Sequence, residues 1–495
     1  MWLLERSERE KKHLLKRIGK KNVPEFHLFA PGGWLNDPNG FSEYKGRYHL
    51  FFQYHPYSTN WGPMHWGHST TRDFLHWKTE KIALAPDENF DDKGCFSGTA
   101  LSWKGKHIIA YTGVYEKNGL EIQSQCVALG NGKKYKKLKE NPVITSENIP
   151  FEYDIRDFRD PKIWMENNRF YLAAVVRKKD SGGALVVFKS RDLKKWDFVS
   201  VAVESRNKIG SMWECPDIFR IGKKTVFIVS PMEMEANKKR QIEEGSNSIY
   251  FIGNFTQDKE FLISKDFLKN GGVLLDYGID FYAPQTMQTS DGRTVLVAWL
   301  ASWNSIINPP GYLWQGMMCL PREIKIKHNR IIQKPVREIK KIRKEKKQGC
   351  IPISANHIHL DGIYGRKFEL KLVFKSSLPA DRVDYFEISI GNKIQNVRLS
   401  VRYNFKQKNA FIKFDRKNSI TRQNITNEKE VYFPLKKGFM ELRCICDYNS
   451  IEVFIQKGTH VFSNIYFLPE ECVDVSFVNS SPETVDYSYY RLGKS

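Results

Sequence analysis

The chain has 495 residues, 41% of them hydrophobic, enough for more than one domain with its own core. Its longest apolar runs are strand-sized, which excludes a transmembrane helix. Its 78 basic and 56 acidic residues leave a net charge of +22, but the excess is spread along the chain and no nucleic-acid motif accompanies it. A solvated lysine-rich surface is therefore expected, not a nucleic-acid face.

Residues 1–25 read as a helical extension. Leu14, Leu15 and Ile18 form an apolar stripe over 2–20, and Gly19 ends it. The stripe is narrow, so the helix is expected to pack on the body of the protein and not on a membrane. The segment is charged from Glu5 onward and lacks the apolar centre of a secretory signal, so residence in the cytoplasm is expected. The eight cysteines are scattered without metal-ligand spacing, and no metal or cofactor is expected. The pair His65 and His68 reads as structural, since no acidic third ligand follows.

From Phe26 the chain turns to short strands. One phrase recurs, a turn with a basic residue followed by large apolar residues: Gly46-Arg47-Tyr48-His49-Leu50, Gly105-Lys106-His107-Ile108-Ile109, Asn168-Arg169-Phe170-Tyr171-Leu172, Lys223-Lys224-Thr225-Val226-Phe227 and Gly292-Arg293-Thr294-Val295-Leu296. Five copies in an all-strand chain predict a five-bladed β-propeller over 26–325, whose blades bury their faces only against one another. The Lys- and Arg-rich stretch 326–347 reads as a basic linker. Period-two alternation then resumes, as in Glu369-Leu370-Lys371-Leu372-Val373-Phe374, and predicts a β-sandwich over 348–495.

Three turns inside the propeller region each place an acid beside a proline at the start of a strand: Asn36-Asp37-Pro38-Asn39-Gly40, Arg159-Asp160-Pro161 and Glu214-Cys215-Pro216-Asp217. Each lies in a different repeat, and a propeller brings such positions to one central cavity. Two carboxyl groups suit cleavage of a glycosidic bond, one ionised to attack and one protonated to donate to the leaving oxygen. Glu214 is the expected acid, because Met212, Trp213 and Cys215 around it should desolvate it and raise its pKa. Asp160 is expected to stay ionised if the Arg159 guanidinium turns inward.

These three motifs resemble the signatures of glycoside hydrolase family 32, which contains invertases, sucrose-6-phosphate hydrolases, levanases and inulinases. The resemblance continues in Trp61-Gly62-Pro63-Met64-His65-Trp66-Gly67-His68, Phe96-Ser97-Gly98-Thr99, Asp280-Phe281-Tyr282-Ala283-Pro284-Gln285 and, in the sandwich part, Ser450-Ile451-Glu452-Val453-Phe454. It implies the same propeller and sandwich, Asp37 as nucleophile, Glu214 as general acid/base and Asp160 as transition-state stabiliser in a configuration-retaining reaction. It further implies a fructose pocket shaped by Trp34, Leu35, Asn36, Gln53, Trp61, Phe96, Ser97, Arg159, Tyr282 and Trp299, with Trp303 an alternative to Trp299 for one aromatic wall. The implied substrate is a small fructoside, sucrose or sucrose 6-phosphate. An exo-acting fructanase, a fructosyltransferase and an inactive carbohydrate-binding module remain as alternatives, and a homo-oligomer remains open.

Overall fold

The computed structural model describes residues 2–19, 22–256, 258–263, 271–376, 381–421, 425–436 and 438–494. Residues 33–335 build five antiparallel sheets in chain order. Their inner strands are Gly33–Tyr44, Gly94–Trp103, Tyr153–Glu166, Met212–Ile221 and Tyr282–Gln288. Each inner strand lies against that of the next sheet, and the fifth lies against the first. The short strand Trp314–Gln315, drawn from late in the chain, pairs in parallel with Gly33–Trp34 and ties the last sheet back to the first. The molecule is a β-propeller followed by a β-sandwich, as the repeats predicted.

The recurring phrase has a local cause. Lys45 and Gly46, Lys104 and Gly105, and Asn167 and Asn168 have positive φ at both central turn positions. Such two-residue turns match the right-handed twist of the strands they join. Glycine and asparagine adopt this conformation at little cost.

The inner strands share a second feature. Each gains one unmatched residue, near its start in the register intervals Leu35/Pro38, Phe96/Gly98, Glu214/Asp217 and Tyr282/Gln285, and mid-strand opposite Ala173/Val175 for the third. A bulge of this kind disrupts the ladder and re-aims side chains. It also tolerates proline, which cannot donate a ladder hydrogen bond. Pro38, Pro161, Pro216 and Pro284 all sit in these bulges. Asp160, Cys215 and Ala283, each just before a proline, hold φ of 62°, 48° and 51°.

Residues 343–492 form two six-stranded sheets. The stretch 326–347 is not a free linker. Arg330–Pro335 completes the fifth propeller sheet, Arg337–Ile342 is a 3-10 turn, and Arg343–Ile351 is a sandwich strand. Buried Ile331, Val336, Ile339 and Ile342 hold it down, and their spacing was hidden among the lysines.

Buried ions join the two parts. Arg322 Nη1 donates to Asp276 Oδ2 at 2.8 Å and Nη2 to Glu452 Oε2 at 2.5 Å. His27 donates to Asp447 at 2.7 Å and to Glu452 at 2.9 Å. Arg416 Nη1 donates to Asp280 Oδ2 at 2.7 Å. The two carboxylates that face His27 push its pKa up to about 9 despite the burial that opposes the charge.

The N-terminal helix, Trp2–Ile18, packs on the first sheet. Its buried side is Ser7, Lys11 and Leu14, so the stripe is more polar than the leucines suggested. Ser7 Oγ meets His65 Nε2 at 2.9 Å, and Lys11 Nζ donates to Glu80 O. His68 Nε2 lies 3.0 Å from His49 Nδ1, so both sequence-marked histidines have structural partners. Residues 1, 20 and 21 of the extension lie outside the described residues.

Candidate active site

Cys215 joins the acids of three sheets. Its backbone N–H donates to Asp160 Oδ2 at 2.8 Å, and its thiol contacts Asp37 Oδ2 at 3.5 Å. Glu214 precedes it in the chain. Asp37 Oδ2 also accepts from Ser97 Oγ at 2.8 Å, which ties in the second sheet. The fifth sheet contributes Tyr282, whose hydroxyl donates to Glu214 Oε2 at 2.8 Å. All five bulges thus feed one cluster.

Each acid is held differently. Asp37 is buried, and among the described residues its Oδ1 has no hydrogen-bond partner. One oxygen is thereby fixed and the other left free. Burial, seconded by the charge of Glu214, pushes its pKa up to about 6, while Ser97, Asn36 and Cys215 oppose the shift. Asp160 is anchored at its own N–H, which donates to Thr112 Oγ1 at 2.9 Å. Its pKa is also pushed up, first by burial.

Two expectations about charge are corrected here. Ionised Asp160 was expected if Arg159 turned inward; the guanidinium does turn inward, but its Nε donates to Glu214 Oε1 at 3.2 Å and its Nη1 to Asp157 Oδ1 at 2.6 Å and Gln123 Oε1 at 3.1 Å. Its charge still favours ionised Asp160, but burial outweighs it. Glu214 was to be the desolvated acid. It keeps 17% of its side chain exposed and receives a donor on each oxygen, from Arg159 and Tyr282. Asp37 and Asp160 are the more deeply buried carboxyls, because closure of the sheets covers them more completely.

A cavity of about 530 Å³ opens over Glu214 and Arg159. Trp61 and Phe96 wall one part of it, with ring centroids 6.0 Å apart in an edge-on arrangement. Trp61 is half exposed, so its face is available to a ligand. Trp34 Nε1 donates to Asn36 Oδ1 at 2.7 Å and steadies the residue before Asp37. Trp34 also packs on Trp299 and Trp303, at 5.8 and 6.3 Å.

Three pocket expectations change. Trp299 has no exposed surface, and Trp303 is the half-buried member of the pair, so of the two only Trp303 reaches the surface. Leu35 is a core side chain, since strand alternation turns it away from its neighbours' side. Gln53 is buried and donates to Cys95 O at 3.0 Å, a role in bracing the Phe96-Ser97 segment. Cys215, Thr112, Gln123 and Asp157 were not singled out as site residues. Cys215 stood inside a marked motif, whereas nothing local marked the other three.

The descriptions of the N- and C-terminal domains of glycosyl hydrolases family 32 match residues 27–335 and 338–490. The chain belongs to glycosyl hydrolases family 32. Raffinose invertase of Escherichia coli is 32% identical over 91% of this chain and 90% of its own length. A sucrose-6-phosphate hydrolase of Zymomonas mobilis is 32% identical over 92% of this chain and 88% of its own. Among solved structures, the β-fructofuranosidase of Bombyx mori superposes with a TM-score of 0.81 at 30% identity and covers 99% of each chain. The chain is a glycoside hydrolase of this family, as its motifs implied.

Proposed function

We propose that this chain is a retaining β-fructofuranosidase whose substrate is sucrose or its 6-phosphate. The observation that carries the reading is the single hydrogen-bonded cluster in which Cys215 touches both Asp37 and Asp160 and adjoins Glu214. Raffinose invertase, sucrose-6-phosphate hydrolases and a β-fructofuranosidase among its relatives support a fructoside substrate.

In this reading Asp37 attacks the anomeric C2 of fructose with Oδ1, the oxygen free of hydrogen bonds. Ser97 and Cys215 hold the other oxygen and so aim the attack. Glu214, kept in place by Arg159 and Tyr282, gives its proton to the departing oxygen as the fructosyl–Asp37 ester forms. It then takes a proton from the water that cleaves that ester. Asp160 holds fructose hydroxyls as positive charge grows on the ring. The Cys215 N–H that donates to its Oδ2 holds the carboxylate in place. Asn36, Trp61, Phe96 and Trp303 bound the sugar.

Residence in the cytoplasm is proposed with this function. No helix among the described residues is long and apolar enough to cross a membrane.

Incubation with sucrose, sucrose 6-phosphate, inulin and levan, followed by a fructose assay, tests the reading. Release from either sucrose form, abolished in Asp37→Ala, is expected. Release from inulin or levan alone would favour the fructanase reading, and a levanase of Bacillus subtilis is 31% identical over 90% of this chain. Binding without release from any of the four would favour the carbohydrate-binding module.

A further inference from the structure

The cavity wall beyond Glu214 carries three guanidinium groups, from Arg156, Arg159 and Arg177. Each already has a carboxylate. Arg156 Nε and Nη2 grip Asp154 at 3.0 and 2.7 Å. Arg159 Nη1 donates to Asp157 Oδ1 at 2.6 Å, and Arg177 Nε donates to Asp157 Oδ2 at 2.6 Å. Glu121 and Glu214 complete the acidic side of the lining. Four carboxylates thus face three guanidiniums, and no lysine lies among the lining residues.

From this arrangement we infer that the leaving-group side of the cavity is built for a neutral, hydroxyl-bearing group and disfavours a phosphorylated one. The inference rests on the β-fructofuranosidase reading and chooses between its two substrates. A phosphate drawn to Arg156 or Arg177 would lie beside the carboxylate that the same arginine already holds, Asp154 or Asp157, and be repelled by it. A sugar hydroxyl meets no such repulsion. It can accept from the outer N–H groups of either arginine and donate to the paired carboxylates, which keep lone pairs to spare. Asp154 is therefore a specificity-determining residue, acting by repulsion as well as by occupying Arg156.

The test compares kcat/KM for sucrose and sucrose 6-phosphate in the wild-type enzyme and in Asp154→Asn. The asparagine keeps an acceptor for the Arg156 N–H, which donates to Asp154 Oδ1 at 3.0 Å, so the turn is preserved. The wild type should favour sucrose by about tenfold, the order supplied by a like charge near a protein surface. Asp154→Asn should shrink or invert that ratio, chiefly through KM for the phosphorylated substrate. Arg156→Gln should leave the wild-type preference standing. A wild-type preference for the 6-phosphate overturns the inference, and so does a ratio unmoved by Asp154→Asn. Failure to hydrolyse either substrate would instead refute the underlying functional reading.

Discussion

Ser97→Ala gives the most direct access to the proposed nucleophile. In the proposed mechanism Asp37 must be ionised to attack, and burial together with Glu214 pushes its pKa up to about 6. The rate constant kcat/KM should therefore fall as pH drops through about 6 in the wild type, because this profile reports the free enzyme. Ser97 Oγ donates to Asp37 Oδ2 at 2.8 Å and favours the ionised form. A hydrogen bond to a charged group contributes about 1.5–3 kcal/mol, or roughly one to two pKa units. Without it the acid limb should move to about pH 7–8. Asp160 is also pushed upward, but Ser97 donates to Asp37, so movement of the limb in this variant assigns it to Asp37. The assay is initial-rate fructose release from sucrose between about pH 4.5 and 9, with circular dichroism as a check on folding. A limb that stays at the wild-type position in a folded Ser97→Ala enzyme would refute the reasoning. So would a wild-type limb near the ordinary aspartate range of about 4.

Three further outcomes are expected. Glu214→Gln should lower turnover of sucrose by about 10²–10⁴-fold with the fold intact, and by much less on a fructoside whose leaving group needs no proton. Equal losses on both substrates would take the general-acid role away from Glu214. Asp447 and Glu452 push the pKa of His27 up to about 9, so its contribution should be fully present below the unfolded value of about 6.5 and lost as pH rises through about 9. That contribution is about 3 kcal/mol, so the gap in melting temperature between wild type and His27→Gln should narrow between about pH 6 and 9.5. A gap independent of pH would show that the charge on His27 carries none of the stability. Arg322→Met strands Asp276 and Glu452 in the junction, and denaturant titration should show a loss of about 3–5 kcal/mol. A loss below about 1 kcal/mol would mean the buried ions are not what joins the two parts.

The three acids could be found in the sequence because each lies within two residues of a proline in a strand bulge, one of the few strand positions that tolerates proline. Repeats of a hairpin phrase likewise marked five sheets, since the turns need residues that accept positive φ. The partners of those residues were less accessible. Arg159 precedes Asp160, yet its guanidinium reaches Glu214 in the next sheet. Thr112 and Gln123 hold Asp160 and Arg159 from the middle of strands whose sequence marks nothing special. Trp299 and Trp303 are equivalent by sequence, and only tertiary burial decides that Trp299 is fully covered and Trp303 is not.

What the amino-acid order determined by itself was local: where strands start, where they bulge, and hence which carboxylates point to the axis. What the tertiary structure alone decided was the environment of each carboxylate. Desolvation and charge depend on atoms that arrive from distant sheets when the ring assembles. For that reason burial raises Asp37 and Asp160, and an arginine and a tyrosine from other sheets hold Glu214 in the cavity lining.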